Sequence, residues 1–235
     1  MIKRTTLISG GTKGIGRAAA DMELEDGHTV IALARNEDPN FPGICYKVDL
    51  FDRKNTAEVM QKIVSEHKVD KVVHAAGIAN PQLIETVTLE QFDQVIELNL
   101  RASIQIVQAV LPHMRDRKWG RIVNISSRAA LGRVTRTSYG AAKSGMYGMT
   151  RSWALELALD GITANVVAPG PTLTEMLKFN NPDLAAFAAE VPMKRLAEPR
   201  EIGSMIHYFL SEDASFVTGQ VIYVDGGLSV GMVHL

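Results

Sequence analysis

Cysteine is almost missing from this chain of 235 residues: Cys45 is the single example. No internal disulfide can form, and a reducing compartment fits that usage. Cys45 lies in a short apolar run and reads as a small hydrophobe rather than a nucleophile. Long apolar runs are missing too. No window approaches the roughly 18 apolar residues that a membrane span requires, so no membrane partner is expected. Near the start, Lys3 and Arg4 precede only a brief apolar stretch, too short for a signal-peptide core, so a cytoplasmic location is expected. An excess of either charge is also absent. The 25 Lys and Arg against 26 Asp and Glu leave a net charge of −1, which gives no footprint for nucleic acid. No repeat, low-complexity tract or long linker divides the chain, and no metal ion is expected.

What is present is an alternation. Hydrophobic residues make up 46% and charged residues 22%, as in ordinary globular domains, and the length suffices for a large core. Apolar runs lie at Thr6–Ser9, Thr29–Ala34, Ile44–Val48, Lys71–His74, Arg121–Ile125, Thr163–Ala168 and Val221–Val224. Helix-like segments fill most of the intervals, among them Arg17–Glu25, Leu89–Met114 and Tyr139–Leu159. Runs that are apolar throughout and separated by helices predict a parallel sheet covered on both faces. The interval Arg35–Gly43 is too short for a helical crossover, which needs about a dozen residues, and reads as a loop. The expected fold is α/β, Rossmann-like and doubly wound, with seven mostly parallel strands and helices on both faces. One domain, 1–235, is expected.

Chemistry enters at the first strand-to-helix junction. Gly10, Gly14 and Gly16 punctuate Ser9-Gly10-Gly11-Thr12-Lys13-Gly14-Ile15-Gly16. Glycines there permit a tight turn and let a pyrophosphate approach backbone N–H groups at a helix N-terminus. At the tip of the second strand, NAD sites place an acid for the ribose hydroxyl and NADP sites a base for the 2′-phosphate. Here Ala34 is followed by Arg35, whose fork suits phosphate, and Lys13 adds a second cation. NADP(H) is therefore the expected cofactor. Glu37 and Asp38 keep NAD(H) as the alternative.

Tyr139 and Lys143 are spaced by four, on one helical face. An ammonium near a phenol favours the phenolate and would make Tyr139 a usable general acid or base. Ser126 and Ser127 close the fifth strand, at the sheet edge where parallel α/β folds bind ligands, and either hydroxyl could polarise a carbonyl. Asn99 lies inside a long helix-like segment, where an amide binds a water or a carbonyl, or bends the helix. Arg128, Arg133 and Arg136 crowd the stretch between Ser127 and Tyr139. They would attract an anionic substrate or carrier, or serve as solvated or intersubunit charge.

In this order along the chain, these features resemble the short-chain dehydrogenase/reductase family over essentially the whole length. Asp49, Ala76-Gly77, Pro169-Gly170, Thr174 and Asp225-Gly226-Gly227 add to the match. The resemblance implies hydride transfer between a nicotinamide and a carbonyl or secondary alcohol of a small molecule. The relatives it brings closest are 3-oxoacyl-[acyl-carrier-protein] reductases, so a 3-oxoacyl thioester is a candidate substrate. It implies that Tyr139 exchanges the proton and that Ser127 orients the carbonyl, with Ser126 the alternative. Lys143 would hold the nicotinamide ribose and lower the Tyr139 pKa, and Asn99 would anchor a water. Cofactor contacts fall to Gly10, Thr12, Lys13, Gly14, Ile15, Gly16, Arg35, Asp49, Leu50, Ala76, Gly77, Tyr139, Lys143, Pro169, Gly170, Thr172 and Thr174. A substrate lid is implied around 172–195, and a homotetramer or homodimer. The pattern departs after the fourth strand, where His74-Ala75-Ala76-Gly77 stands in place of Asn-Asn-Ala-Gly. His74 there reads as packing and Ala75 offers only backbone. The alternatives are an NAD-dependent sugar or alcohol dehydrogenase of the same family and a silent nucleotide-binding sensor. Enoyl reductases space their tyrosine and lysine more widely than this chain does.

Overall fold

A computed structural model describes residues 2–180 and 183–231. The strands are β1 (Thr5–Ser9), β2 (Thr29–Ala34), β3 (Ile44–Lys47), β4 (Lys71–His74), β5 (Gly120–Ile125), β6 (Ile162–Pro169) and β7 (Val221–Val224). They form one sheet in the order β3-β2-β1-β4-β5-β6-β7. Every pairing is parallel, where the sequence suggested only a mostly parallel sheet. The helices are α1 (Gly14–Glu25), α2 (Arg53–Glu66), α3 (Leu89–Ile96), α4 (Ala102–Arg117), α5 (Thr137–Leu157), α6 (Glu175–Asn180), α7 (Leu184–Glu190) and α8 (Pro199–Leu210).

Successive strand residues point to opposite faces, and the two cores divide accordingly. Leu7, Ile31, Leu33, Val72 and Ile122 face one way, onto Met60 and Ile63 of α2 and Ile106, Val110 and Met114 of α4. Ile8, Val30, Ala32, Val73 and Val123 face the other way, onto Ala19 and Ala20 of α1 and Ile202, Ile206 and Phe209 of α8. Both faces are covered, which is why the strands carry no polar alternation. The interval between β2 and β3 contains no helix.

Two segments differ from their sequence reading. The first helix begins at Gly14 rather than Arg17, so the glycine turn runs straight into its first turn. The segment Leu89–Met114 is not one helix: a π-helical turn, Glu97–Arg101, separates α3 from α4. The cause lies in Asn99. Its side-chain amide donates to the Val95 carbonyl at 2.8 Å, the acceptor that its own backbone N–H would use in an α-helix. The ladder slips by one residue to compensate.

Candidate active site

Parallel strands bring all their C-terminal ends to one edge. Along it lie the glycine turn after β1, Arg35 after β2, Asp49 after β3, Ala76-Gly77 after β4, Ser126-Ser127 after β5 and Pro169-Gly170 after β6. A cavity of about 350 Å³ opens there. Of the residues read from the sequence, Lys13, Gly14, Ile15, Gly16, Gly77, Ser127, Tyr139, Lys143, Pro169, Gly170, Thr172 and Thr174 line it. Thr12 borders an adjoining hollow. Arg35, Asp49 and Leu50 sit beyond the cavity on the β2–β3 side of the same edge, and Asn99 lies buried behind it.

The glycine turn is built for close approach. Gly10 has φ +70°, and a Cβ on Gly16 would lie 2.3 Å from the Gly10 carbonyl oxygen. Lys13 is the N-cap of α1 and makes no side-chain cap, so the first N–H groups of that helix are left for a ligand. Such a cradle fits a dinucleotide pyrophosphate. Arg35 is exposed, as a 2′-phosphate ligand must be. Lys13 differs from its reading in one respect. Its Nζ is engaged by Glu175 at 3.0 Å, an exposed pair that costs little to part. Asp49 accepts the Phe51 N–H at 3.1 Å, and Arg101 donates to the Leu50 carbonyl, which fixes this end of β3.

The chemical groups stand at the start of α5. Ser127 and Tyr139 line the cavity together, and Ser127 acts to lower the phenol's pKa, while the Ser126 hydroxyl donates to the Lys143 carbonyl at 2.7 Å. The Ser127 hydroxyl accepts the Ala129 N–H at 3.1 Å, which leaves its own proton to give. The Tyr147 hydroxyl donates to the Ser127 carbonyl at 3.4 Å and so steadies that residue from behind. Lys143 is buried, donates to the Ile125 carbonyl at 2.8 Å and lies 5.5 Å from the Tyr139 ring centroid. Burial alone pulls its ammonium down to about 7. The Tyr139 phenol is a correction. The resemblance implied a pKa lowered by Lys143, but burial pushes it up, opposed only in part by Ser127 and Arg136. Lys143 gives one of its three donors to a backbone carbonyl, burial weakens its charge, and it is not among the groups that lower the phenol.

Asn99 uses both protons of its amide, on Val95 and on Ile78 at 3.1 Å. Its Oδ1 is buried and, among the described residues, has no donor. A Cβ placed on Gly77 would come 2.4 Å from that oxygen and 3.4 Å from Lys143 Nζ. The amide oxygen and the ammonium thus both lie against Gly77, and a water bound between them would accept from Lys143 and donate to Asn99.

Some roles were not legible beforehand. The ring of His74 links three elements: Nδ1 meets Ser9 Oγ at 2.8 Å and Nε2 meets the Leu98 carbonyl at 3.2 Å. Nε2 must carry the proton to donate to a carbonyl, so Nδ1 accepts from Ser9, and Ser9 in turn accepts the Ala76 N–H at 3.3 Å. Burial holds this imidazole neutral, with its pKa down to about 3. Arg128, Arg133 and Arg136 all line the cavity. Met176 and Leu177 of α6, Phe187 of α7 and Leu228 form its apolar wall.

Fold and site together define a nucleotide-dependent oxidoreductase, and the chain belongs to the short-chain dehydrogenase/reductase family. The family model described as "Enoyl-(Acyl carrier protein) reductase" matches residues 10–229. The 3-oxoacyl-[acyl-carrier-protein] reductase of Thermotoga maritima is 36% identical, over 97% of this chain and 98% of that protein. The acetoacetyl-CoA reductase of Cupriavidus necator is 34% identical, over 98% of this chain and 100% of that protein. Among solved structures, the aldohexose dehydrogenase of Thermoplasma acidophilum superposes with a TM-score of 0.93 at 27% identity, covering 98% of this chain and 95% of that one. A candidate NAD(P)-dependent gluconate 5-dehydrogenase from Beutenbergia cavernae, solved with NADP, gives 0.90 at 30% identity, covering 97% of each chain. Among the described residues no helix is long and apolar enough to cross a membrane, and no cluster of His, Cys, Asp or Glu could hold a metal ion.

Proposed function

We propose that the protein is an NADP(H)-dependent reductase of a small-molecule carbonyl, running in reverse on the corresponding secondary alcohol. The observation that carries this reading is the meeting of Ser127, Tyr139 and Lys143 in one cavity, beside a glycine turn on the same sheet edge. When bound, the reduced nicotinamide supplies a hydride to the carbonyl carbon and is itself oxidised. Ser127 donates a hydrogen bond to the carbonyl oxygen and polarises it. Tyr139 gives its phenolic proton to that oxygen as negative charge builds there. Tyr139 is protonated at neutral pH and so carries the proton that this direction requires. Lys143 holds the nicotinamide ribose and, through the water shared with Asn99, returns a proton to Tyr139. Gly10, Thr12, Gly14, Ile15 and Gly16 hold the pyrophosphate. Arg35 and Lys13 take the 2′-phosphate, Asp49 and Leu50 the adenine, and Ala76-Gly77 the adjoining ribose. Pro169, Gly170, Thr172 and Thr174 take the carboxamide side.

Residues 172–180 and 183–195, with α6 and α7, serve as the substrate lid, since Met176, Leu177 and Phe187 line the cavity, and 181–182 lie outside the described residues. The names of the reductase relatives put 3-oxoacyl thioesters first among compounds to assay. The sugar dehydrogenase neighbours favour a second reading, a sugar or alcohol dehydrogenase of the same family, and Glu37 and Asp38 near Arg35 are what would make it NAD-dependent. A cytoplasmic homodimer or homotetramer is proposed as well. Ile104 on α4 and Leu155 on α5 are exposed, and so is Leu159 just past α5, as pairing through these helices requires. A solution mass near one chain, 25.6 kDa, would rule the pairing out. The activity itself is tested by following NADPH absorbance with a panel of ketones, thioesters and sugars. Carbonyl-dependent oxidation that vanishes in Tyr139→Phe is the expected result. Turnover undiminished in that variant would refute the assignment of the proton to Tyr139.

A further inference from the structure

Three arginines line the cavity beside Tyr139, and among the described residues a single carboxylate, Glu190, pairs with any of them. Burial and the neighbouring Arg133 both push the Arg136 pKa down, and the only group acting the other way is the Tyr139 phenol. Burial and Arg128 do the same to Arg133, opposed by Glu190 alone. That carboxylate sits at 3.7 Å on α7, 58% exposed, so the pair is loose. Among the described residues, Arg128 Nε and Arg136 Nη1 are buried and have no hydrogen-bond partner. Buried guanidinium nitrogens without acceptors are costly, and a protein keeps them only where something compensates.

The backbone compounds the cost. Arg136 is the N-cap residue of the 21-residue helix α5 and makes no side-chain cap. An oxygen acceptor is the ordinary choice at that position, and a cation there opposes the helix dipole. Thr135 before it is β-branched yet has φ +66°, an uncommon conformation for such a residue. The Gln82 N–H pins that residue by donating to the Thr135 carbonyl at 2.9 Å. A bound oxyanion relieves the like-charge repulsion, the missing acceptors and the uncapped helix end together.

We infer that Arg128, Arg133 and Arg136 form an oxyanion subsite next to Tyr139, and that the substrate is a carbonyl compound carrying its own carboxylate or phosphate. The inference rests on the carbonyl chemistry proposed for Tyr139. It narrows that chemistry from any ketone to an anionic one. Arg133 also lies 4.1 Å from the centroid of the Phe187 ring, so the arginines and the apolar wall meet on one surface. That surface suits a short oxo acid whose carbon chain rests on Phe187 while its anion faces the guanidinium forks.

The test measures binding apart from turnover. Protein saturated with the oxidised cofactor, which cannot reduce a ketone, is titrated calorimetrically with straight-chain oxo carboxylates and with their methyl esters. A ketose and its phosphate monoester form a second pair. The expected result is that one charged member binds about tenfold or more tightly than its neutral partner. Arg136→Gln then removes the preference, and Lys68→Gln, an exposed lysine away from the cavity, keeps it. A preference for the acid over its ester assigns a carboxylate, and one for the ketose phosphate assigns a phosphate. Equal binding of charged and neutral members, or a preference that survives Arg136→Gln in protein of unchanged thermal midpoint, overturns the inference. Arg136-dependent binding of the acid without any NADPH oxidation would leave the subsite standing and sink the reductase reading instead.

Discussion

Both edges of the sheet bury charge, but they treat it differently. At the N-terminal edge, Glu23 is fully buried, and its carboxylate receives Lys71 at 2.9 Å, Thr6 at 2.6 Å and His207 at 3.0 Å. Arg4 meets Asp70 and Glu212, although its Nε finds no acceptor among the described residues, and His113 meets Asp70. Arg4 and Arg121 both stack on the Trp119 ring, at 3.8 and 4.3 Å from its centroid. At the C-terminal edge, Lys143 is left with a neutral carbonyl, and Arg128 and Arg136 keep nitrogens without acceptors. Paired charge at one end holds the strands together. Charge without a counter-charge at the other end is what a ligand with phosphates and a polarised oxygen would complete.

The comparison breaks most sharply at Tyr139. Tyr139→Phe should lower turnover about a thousandfold, since a general acid commonly contributes that much, while NADPH titrated by its fluorescence still binds. At the opposite edge the losses should fall on stability. Glu23→Ala leaves Lys71 buried without its anion and should cost about 3–5 kcal/mol in denaturant unfolding. The KM for NADPH of the folded fraction should stay within about twofold, as expected for distant independent sites.

The pH dependence of stability sharpens the same contrast. Burial pushes the Glu23 carboxyl up, but His207, Lys71 and Thr6 outweigh it and hold the group down to about 2, against an ordinary 4.5. A lowered carboxylate stabilises above its unfolded pKa, so this contribution is full above pH 4.5 and is lost as the pH falls towards 2. Glu23 raises His207 above its ordinary 6.5. That contribution is present below pH 6.5 and is lost as the pH climbs through the raised value. Unfolding free energy measured across pH should therefore decline on both sides, and Glu23→Ala should flatten both limbs. His74 adds an acid loss of its own. Its pKa of about 3 lies below the unfolded value, so its stabilisation is full above pH 6.5 and drains as the pH falls towards 3. His74→Asn should remove that part.

The strands were legible because each is a compact apolar run bounded by polar or glycine-rich sequence, and both faces being covered left no second period to confuse them. Tyr139 and Lys143 were legible as neighbours on one helical face because a spacing of four is itself the signal, and both line the cavity. The π-helical turn at Asn99 was not, since it depends on a side-chain amide competing for the Val95 carbonyl. The choice between Ser126 and Ser127 turns on a hydroxyl rotation that sequence does not encode. The N-terminal charge cluster joins Glu23 to Lys71 and His207, 48 and 184 residues away, so it exists only once the sheet is assembled. The arginines were visible as composition, but their convergence on the cavity needed the fold.

The smallest expected effect bears most directly on the central claim, that cations at the C-terminal edge await a ligand's charge. Wild-type protein and Arg35→Ala are titrated with NADPH and with NADH at one fixed salt concentration, following nicotinamide fluorescence. The account predicts NADPH binding tighter by at least about tenfold, near 1.4 kcal/mol, and a variant that loses most of that difference. Equal or tighter binding of NADH by the wild type would contradict it, and would leave Arg35 as surface charge only.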